Sequence, residues 1–370
     1  MKVPRRWWRI GYLLLPLVVW SCSPAPAGTT NAPVFELDPD WPQTLPENWI
    51  LGAVTGIAVD GGGHVWVTHA QGMATPAALG AAQDPPVSQC CVPAPGVLEL
   101  DPQGNVVQSW DTSQGEYAWP DVPHGLFVDH NDYVWVGSRP HHQVLKFSRE
   151  GELVLTIGEQ DETGGSNDPD LLGRPSDIWV NPETNEAFIA DGYGNRRIVV
   201  YDGETGAYLR HWGAYGEVPD DDYTHPDRGE DEPPSRQFGT VHGLVGSHDG
   251  FIYVADRRNN RVQVFEQDGT FVAERVVAPA TLGSGTAFDV ALSGDPDQEY
   301  LYLMDGTNHK IWTLRRSDLE VLGEFGRGGY QVGEFVRPHN MDTDAEGNIY
   351  TSEAGTRRIQ RFQVTGTLTP

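Results

Sequence analysis

The amino-acid sequence predicts an all-β protein, a six-bladed β-propeller in which every blade is a four-stranded repeat. Three observations support this fold class: a unit that recurs six times, a large share of turn residues, and little helical periodicity. The 370 residues include 43 glycines and 28 prolines, which is typical of many short strands joined by turns. Four short strands cannot bury both faces of their sheet alone, whereas six such sheets packed around an axis can.

The repeat has two recognisable halves. The second half is a strand that ends in an acidic or small polar residue, then a turn and a further strand, as in "AFIADGYGNRRIVVY" and "IYVADRRNNRVQVF". The last copy lacks an outer strand, so we expect Val34 to Leu37 to supply it and to close a propeller of residues 34–366. The first half is a turn that leads into an apolar strand, and the residues that open this strand are Thr55, His124, Ser176, His242, Phe288 and His339.

The first 33 residues are interpreted as targeting segments. Residues 1–21 have a basic start and a short apolar run, the pattern of an export signal of the lipoprotein type. The residues before Cys22 resemble a bacterial lipobox, so we expect lipid attachment at Cys22 and a flexible tether over residues 22–33. The expected location is therefore outside the cytoplasm, periplasmic or at the cell surface, with the lipid as the membrane anchor.

The charge balance argues against some partners. Asp and Glu number 52 against 25 Lys and Arg, a formal net charge of −27, which disfavours nucleic acid and anionic membrane surfaces. Most of this charge serves solubility, and we expect a monomer with a small-molecule or peptide substrate. The acidic runs Asp220–Asp222 and Glu230–Glu232 are most simply solvated loop, although calcium could bind there.

Cys90 and Cys91 are adjacent in a long insertion. Outside the cytoplasm two neighbouring cysteines can form a local disulfide that locks the loop. A metal pair or a redox centre is the sharper interpretation. Because two cysteines are weak evidence for either, the loop lock is preferred.

Histidine opens the first strand in alternate copies, at His124, His242 and His339. First strands line the central channel of a propeller, and alternate blades are related by about 120°, so three imidazoles would converge near the axis. Three histidines with an open fourth position are typical of catalytic zinc. The alternative is that these histidines line a polar, hydrated channel.

The second strands return to the same end of the channel. Their turns place Tyr193, Arg257 and Arg139 beside the histidine ring, together with the acidic residues Asp191 and Asp256. Acids at such positions also have a plain structural role, since they can accept hydrogen bonds from turn amides. Three long insertions emerge at this rim, where functional residues tend to collect.

The repeated pattern resembles NHL-repeat propellers, and the site residues resemble the lyase domain of peptidylglycine α-amidating enzymes. The matching motifs are "VPHGL", "TVHGL" and "RPHNM" around the three histidines, "DGYGNRRI" around Tyr193, and "ADRRNNR" around Arg257. The resemblance implies a metal held by the three histidines, Tyr193 as a base and Arg257 as a substrate contact. It implies cleavage of a peptidyl-α-hydroxyglycine to a peptide amide and glyoxylate.

Two departures from that family stand out. The family carries a catalytic arginine in a His-Arg pair where this chain has His69-Ala70, and Arg139 on the next blade is a candidate to replace it. An acid that is tied to a structural calcium in the family is Asn340 here. Asn340, Asp191 and Asp256 are therefore candidates to bind calcium or to support the histidines.

Two other functions compete with a zinc-dependent lyase that acts on a carbinolamide. One is a non-catalytic scaffold that binds a protein or peptide at its acidic, loop-rich face, which Ala70 and the long insertions favour. The other is a hydrolase similar to sugar lactonases. Those sites use mainly carboxylate and asparagine ligands around calcium, so the histidine triad argues against it.

Overall fold

The computed structural model describes residues 32–367, except residues 75, 114, 116 and 227–234. The predicted export signal, residues 1–21, and most of the tether, with Cys22, lie outside the described residues. No helix among the described residues is long and apolar enough to cross a membrane. The strands are β1 (Pro33–Leu37), β2 (Trp49–Ile50), β3 (Ala53–Val59), β4 (Val65–Ala70), β5 (Val92–Pro93), β6 (Val97–Leu100), β7 (Val106–Trp110), β8 (His124–Val128), β9 (Val134–Ser138), β10 (Gln143–Phe147), β11 (Leu153–Ile157), β12 (Asp177–Val180), β13 (Glu186–Asp191), β14 (Arg197–Asp202), β15 (Tyr208–Trp212), β16 (Val241–Gly246), β17 (Phe251–Asp256), β18 (Arg261–Glu266), β19 (Phe271–Val276), β20 (Ala287–Leu292), β21 (Tyr300–Asp305), β22 (Lys310–Arg315), β23 (Val321–Phe325), β24 (Pro338–Thr343), β25 (Ile349–Glu353) and β26 (Arg358–Thr367).

These strands form six four-stranded antiparallel sheets, so the predicted six-bladed propeller is confirmed. From the axis outward, blades 1 to 6 are β3-β4-β6-β7, β8-β9-β10-β11, β12-β13-β14-β15, β16-β17-β18-β19, β20-β21-β22-β23 and β24-β25-β26-β1. The ring closes as the sequence predicts, because β1 pairs with β26 from Pro33 opposite Thr367 to Leu37 opposite Phe362. Short 3₁₀ helices lie in the connections at Pro46–Asn48, Gln71–Met73, Pro76–Ala78, Gly80–Ala82, Arg139–His141, Ala214–Gly216 and Arg257–Asn259.

Burial explains why single blades are not independent. All residues of the second strands β4, β9 and β21 are buried, whereas the outer strands β7 and β11 include several exposed residues. The described core divides into six apolar clusters, and each one joins two neighbouring blades. Trp66 of blade 1, for example, packs in one cluster with Leu126 and Val136 of blade 2. Burial of apolar area between blades therefore stabilises the ring as a unit.

The chain direction defines one functional end of the channel. First strands begin there, at residues such as His124, and second strands end there, at residues such as Ser138 and Asp256. The long insertion after β4 returns to this end through β5, which pairs in parallel with β2. The connection lengths of the sequence and the strand directions thus place the insertions beside the histidines.

Candidate metal centre

Three buried histidines meet at the centre of the ring, as their alternation in the sequence predicts. The ring centroids of His124, His242 and His339 are 4.6 to 5.0 Å apart. One nitrogen from each imidazole lies within 4.8 Å of the other two. Their exposed fractions are 1%, 0% and 5%. Three converging nitrogen atoms shielded from solvent match the ligand number and type of a catalytic zinc site.

The outer nitrogen of each imidazole is committed to a hydrogen bond. Nδ1 of His124 lies 2.7 Å from the carbonyl oxygen of Ser176, and Nδ1 of His242 lies 2.6 Å from that of Phe288. A carbonyl oxygen only accepts, so Nδ1 carries the proton in both rings and Nε2 keeps its lone pair. Metal-binding histidines usually donate their other N–H in this way, which fixes the tautomer and the orientation of the ring.

Glycine after the histidine permits this contact between neighbouring blades. Gly125 has φ +71°, and a Cβ atom there would lie 2.6 Å from the Ser176 carbonyl oxygen that accepts the His124 proton. Blade 6 has Asn340 in place of this glycine, and Nδ1 of His339 donates to its side-chain oxygen at 2.6 Å. This hydrogen bond orients the His339 ring. Asn340 itself is held by Asp289, which accepts from its amide nitrogen at 3.3 Å.

Tyr193 completes a set of polar atoms that has one hydrogen too few. Its hydroxyl lies 3.0 Å from Nε2 of His124 and 2.9 Å from Nε2 of His242, and it accepts a hydrogen bond from Arg257 at 3.0 Å. A phenol has one proton to donate, and both Nε2 atoms are acceptors. One buried nitrogen therefore faces an oxygen lone pair with no proton between them. A cation at the centre of the histidine ring would resolve this conflict, so the residues fit a metal ion.

The turn after β13 places the tyrosine. A Cβ atom on Gly192 would lie 1.9 Å from the carbonyl oxygen of Val241, so only glycine allows this turn to pack against the start of blade 4. Tyr193, the next residue, consequently stands beside His242. Arg257 follows β17 on blade 4 and lies within reach of the same hydroxyl. The sequence-predicted residues Tyr193 and Arg257 are therefore brought together with the triad.

Burial keeps the three imidazoles neutral. Loss of solvent is the main cause that lowers the pKa of His124 and of His242 well below 6.5, and nearby positive charge acts in the same direction. Burial likewise lowers the pKa of His339 to about 3. Because a protonated imidazole cannot bind a metal, neutral rings at physiological pH leave the Nε2 atoms available.

Asp191 and Asp256 hold turns together. Asp191 accepts hydrogen bonds from Gly173 N–H and from the side chains of Asn195 and Arg197. Asp256 accepts hydrogen bonds from two backbone amides of the loop that precedes blade 4 and from two side chains of the turn after β17. The donors are Gly239 N–H, Thr240 N–H, Asn259 Nδ2 and Arg261 Nε. These bonds correspond to the plain structural role considered for acids at this position.

Arg139 lies at the site, whereas His69 faces its own blade. The guanidinium carbon of Arg139 is 4.9 Å from the centre of the Tyr193 ring. The His69 ring accepts from Gly52 N–H at 3.0 Å and donates to the Pro95 carbonyl at 3.0 Å, so it braces loops of blade 1. Ala70 is fully buried and offers no functional group. Blade 1 thus supplies no charged group from this position.

Sequence reasoning missed three buried carboxylates lower in the channel, Asp177, Asp289 and Asp342. Each accepts a hydrogen bond from a backbone N–H of the next blade in the same direction around the ring, and the donors are Leu244, Met341 and Val59. Burial raises the pKa of Asp289 to about 7 and that of Asp342 to about 6, and it raises the pKa of Asp177 well above its usual value. An acidic residue inside an apolar strand, as in "SDIWV" and "FDVAL", is the signal that could have found them.

The other candidate site residues form contacts within the protein. Cys90 and Cys91 are joined by a disulfide. Asp60, His64 and Glu99 also lie close enough to bind a metal, but Arg149 forms ion pairs with both Asp60 and Glu99. Within the first predicted acidic run, Asp221 accepts from Ser166 N–H. The second run, Glu230–Glu232, lies outside the described residues.

Comparison with known sequences supports the predicted resemblance. The model of the family described as "NHL repeat" matches residues 238–265. The chain is 27% identical over 343 residues to peptidyl-alpha-hydroxyglycine alpha-amidating lyase 1 of Drosophila melanogaster, covering 87% of the chain and 58% of that protein. It is 27% identical over 359 residues to peptidyl-glycine alpha-amidating monooxygenase B of Xenopus laevis, covering 89% of the chain and 35% of that protein. The chain therefore spans about a third of the monooxygenase and just over half of the lyase.

Two further likenesses carry less functional information. The chain is 27% identical over 350 residues to NHL repeat-containing protein 3 of Mus musculus, covering 89% of the chain and 84% of that protein. The solved structure of streptogramin B lyase matches with a TM-score of 0.52 at 13% identity, over 90% of this chain and 98% of that one, which shows the fold alone. The chain is thus a six-bladed propeller with an NHL repeat, and it is similar to peptidyl-α-hydroxyglycine amidating lyases over most of its length.

Proposed function

We propose that the protein is a zinc-dependent carbon–nitrogen lyase that cleaves a carbinolamide of the peptidyl-α-hydroxyglycine type. The observation that carries the proposal is the arrangement of Tyr193 against the triad, with its hydroxyl 3.0 and 2.9 Å from the inner nitrogens of His124 and His242. A proton acceptor and a set of metal ligands share one buried point. Similarity to a protein named as an amidating lyase supports the same chemistry.

The triad would hold zinc through the Nε2 atoms of His124, His242 and His339. Zinc bound there supplies Lewis acidity, which stabilises negative charge that develops on a substrate oxygen. The protein supplies the orientation. The carbonyl groups of Ser176 and Phe288 fix two of the rings, and burial removes water that would compete for the inner nitrogens.

The reaction needs removal of one proton and departure of one amide. The O–H bond of the carbinol breaks, the glycine carbon forms a C=O double bond, and the C–N bond breaks with its electron pair going to nitrogen. The nitrogen then gains a proton, so the products are a peptide amide and glyoxylate. No oxidant or further reactant enters this balance.

Tyr193 is the proposed proton acceptor at its Oη atom. Arg257 donates a hydrogen bond to that oxygen at 3.0 Å, and its guanidinium carbon lies 5.1 Å from the centre of the tyrosine ring. This hydrogen bond holds the tyrosine oxygen beside the inner nitrogens of the triad. Tyr193 would therefore act as base in the first step and return the proton to the amide nitrogen in the second.

The test is release of glyoxylate from N-benzoyl-α-hydroxyglycine by the full-length protein supplied with zinc. We expect release that stops when a chelator removes the metal and returns when zinc is added. Absence of release from this and from longer α-hydroxyglycine peptides, by a protein shown to contain one zinc per chain, would refute the lyase.

A second candidate is the non-catalytic scaffold that binds a protein or peptide at its acidic, loop-rich face. The observation in its favour is Ala70, buried and without a functional group where the resemblance expects an arginine. The two candidates differ in one measurement. A scaffold would show no turnover of any α-hydroxyglycine peptide, either in the native protein or in Tyr193→Phe.

Export and lipid attachment at Cys22 complete the proposal. Growth of the producing cells with a labelled fatty acid should label the native protein and leave Cys22→Ser unlabelled. Label in both proteins, or in neither, would contradict attachment at this residue. We further propose that the mature protein is a monomer, which its mass in solution tests.

A further inference from the structure

We propose that Asp289 is a positioning residue for the metal centre, because it fixes the side-chain amide of Asn340 and, through that amide, the tautomer of His339. Asp289 lies on the first strand of blade 5, a blade that contributes no histidine to the triad. The inference rests on the proposed function only for zinc as the ion. The position of the proton on His339 is a property of this chain without any metal.

The third imidazole is oriented by a side chain and not by the backbone. His124 and His242 donate to carbonyl oxygens of the next blade, and a carbonyl oxygen can only accept. His339 faces instead the side-chain amide of Asn340, at 2.6 Å. An amide has an accepting oxygen and a donating nitrogen of nearly the same shape. Asn340 could therefore present either atom, and each choice would place the imidazole proton on a different nitrogen.

Asp289 selects one of these two orientations. Its Oδ2 atom lies 3.3 Å from the side-chain nitrogen of Asn340 and 2.8 Å from the backbone nitrogen of Met341. An ionised carboxylate only accepts hydrogen bonds, so it takes the amide nitrogen and turns the amide oxygen toward His339. Nδ1 of His339 then carries the proton, and Nε2 keeps the lone pair that a metal requires.

Packing leaves the Asp289 carboxylate little freedom to turn away. Its other oxygen, Oδ1, accepts from the backbone N–H of Val290 at 2.9 Å. A Cβ atom on Gly243 of blade 4 would lie only 2.2 Å from the same oxygen, so glycine at that position makes room for the carboxylate. Asp289 and Asn340 are each 3% exposed, which shields their contact from bulk water. The contact with Asp289 therefore sets the orientation of the Asn340 amide.

Blade 5 thereby orients two of the three histidines. The carbonyl oxygen of Phe288 accepts the Nδ1 proton of His242 at 2.6 Å, and the next residue, Asp289, acts on His339 through Asn340. Two consecutive residues thus reach histidines on the two neighbouring blades, 4 and 6. Because the two routes use different groups, a change of the Asp289 side chain should alter His339 and leave His242 in place.

The first test is isotope-edited NMR of the metal-free, full-length protein labelled at histidine, with the His339 signals identified by their loss in His339→Gln. The pH is kept above the Asp289 pKa of about 7, so that the carboxylate is ionised. In the native protein we expect one tautomer of His339, with the proton on Nδ1. Asp289→Asn keeps the shape of the side chain but gives it a donor of its own, so both tautomers should be present.

Zinc affinity is the second readout, measured by competition with a chromophoric chelator. Loss of a hydrogen-bonding partner behind a metal-binding histidine typically weakens metal binding by about 10- to 100-fold. The zinc Kd of Asp289→Asn should therefore rise by about that factor relative to the native protein.

Asp177→Asn is the matched control. Asp177 is the corresponding buried residue of blade 3, and it accepts from the backbone N–H of Leu244 at 2.9 Å, as Asp289 accepts from a backbone N–H of blade 6. The residue that follows His242 is Gly243, which has no side-chain amide to orient. Asp177→Asn should therefore change neither the tautomers nor the zinc Kd. An equal rise of the Kd in both variants would reduce the effect to loss of a buried carboxylate and overturn the proposal.

The double variant Asp289→Asn/Asn340→Asp separates orientation from stability. A carboxylate at position 340 accepts through either oxygen and needs no orientation, so the proton should return to Nδ1 of His339 and the zinc Kd should recover. This variant also supplies the measurement if Asp289→Asn alone does not fold. A single Nδ1 tautomer and an unchanged zinc Kd in Asp289→Asn, or two tautomers in the double variant, would overturn the proposal.

The outcome is separable from that of the proposed function. A His339 tautomer that depends on Asp289, in a protein that releases no glyoxylate, would remove the lyase and leave the positioning role. Glyoxylate release by a protein in which Asp289→Asn changes neither the tautomer nor the zinc Kd would leave the lyase and remove the positioning role.

Discussion

Blades 2, 3 and 4 differ from blades 5, 6 and 1 in the turn after the second strand, which carries a large polar side chain at its first residue in blades 2 and 4 and at its second residue in blade 3. Three functional side chains stand there on one half of the ring, Arg139, Tyr193 and Arg257. The other half has small residues at the corresponding turns, namely Gly306, Ala354 and Ala70. Both halves contribute to the triad, since His339 comes from blade 6. The histidine triad is therefore shared around the ring, whereas the tyrosine and the two arginines beside it lie on one side.

The residue just before this turn is an acid in blades 3 to 6, whereas blades 1 and 2 have His69 and Ser138 there. Asp256 in blade 4 and Asp305 in blade 5 each accept hydrogen bonds from turn amides and from an asparagine side chain. Glu353 in blade 6 accepts from Val336 N–H. In these four blades an acid fixes the turn, and the residues that follow it are free to vary. This separation lets a repeated fold carry a site that is not symmetric.

The largest expected effect comes from the triad, which spans both halves. His124→Ala removes one of three ligands, so zinc measured by plasma mass spectrometry should fall from about one ion per chain to background, with loss of any turnover. His69→Gln is the control, because His69 is equally buried but bonds only to loops of blade 1. Equal zinc in the native protein and in His124→Ala would contradict a site at the triad.

Tyr193→Phe tests whether the proton is transferred on the side of the propeller formed by blades 2 to 4. Removal of the hydroxyl should lower kcat by about 10²- to 10⁴-fold while zinc content stays the same. Tyr215→Phe is a matched control, since the Tyr215 hydroxyl also accepts from an arginine, Arg261, at 2.7 Å but lies outside the triad. Equal, measurable rates for Tyr193→Phe and the native protein would exclude Tyr193 as base.

The free energy of unfolding should depend more on the buried ion pair of blade 4 than on the exposed ion pair of blade 5. Arg261 and Asp256 are paired at 2.9 Å with both side chains fully buried, so Arg261→Leu leaves a buried charge and should cost about 3–5 kcal/mol. Lys310 is the strand partner of Asp305, and it pairs instead with the exposed Glu324. Lys310→Leu should cost about 1 kcal/mol or less in urea unfolding. Similar losses in both variants would contradict this difference.

The smallest expected effect is the contribution of His69, in blade 1, to the pH dependence of stability. Burial lowers the pKa of His69 to about 4, so the unfolded chain binds more protons than the native protein between that pH and 6.5. Its contribution to stability is therefore complete above pH 6.5 and is lost as the pH falls toward 4. Between pH 7 and pH 5 the native protein should lose about 2 kcal/mol more than His69→Gln. Parallel curves for the two proteins would refute this assignment.

The fold and the meeting of the three histidines could be predicted because both depend on a repeat. Six copies with a period-two pattern predict six blades, and the missing outer strand of the last copy predicts that Val34 to Leu37 close the ring. Histidine in alternate copies then predicts convergence from symmetry alone. The convergence of His124, His242 and His339 could be predicted without side-chain detail, because equivalent positions in a ring are equidistant from its axis.

The orientation of side chains beyond the strand ends could not be predicted in this way. His69 is the penultimate residue of β4 and Arg139 follows the last residue of β9, yet His69 faces its own loops and Arg139 faces Tyr193. Turn conformation and the neighbouring insertion decide between these directions. The buried carboxylates Asp177 and Asp289 were missed for a related reason, since their partners are backbone groups 67 and 52 residues away.

By itself the sequence determined the architecture, the register of the repeats and the identity of the three histidines, because these depend on periodic patterns and on the symmetry of a closed ring. Only the tertiary structure decided which imidazole nitrogen faces the axis. That choice depends on the carbonyls of Ser176 and Phe288, which reach His124 and His242 from the next blade. The same holds for Arg139, which forms no ion pair with any residue that the structure describes, because pairing is decided by packing and not by the local sequence.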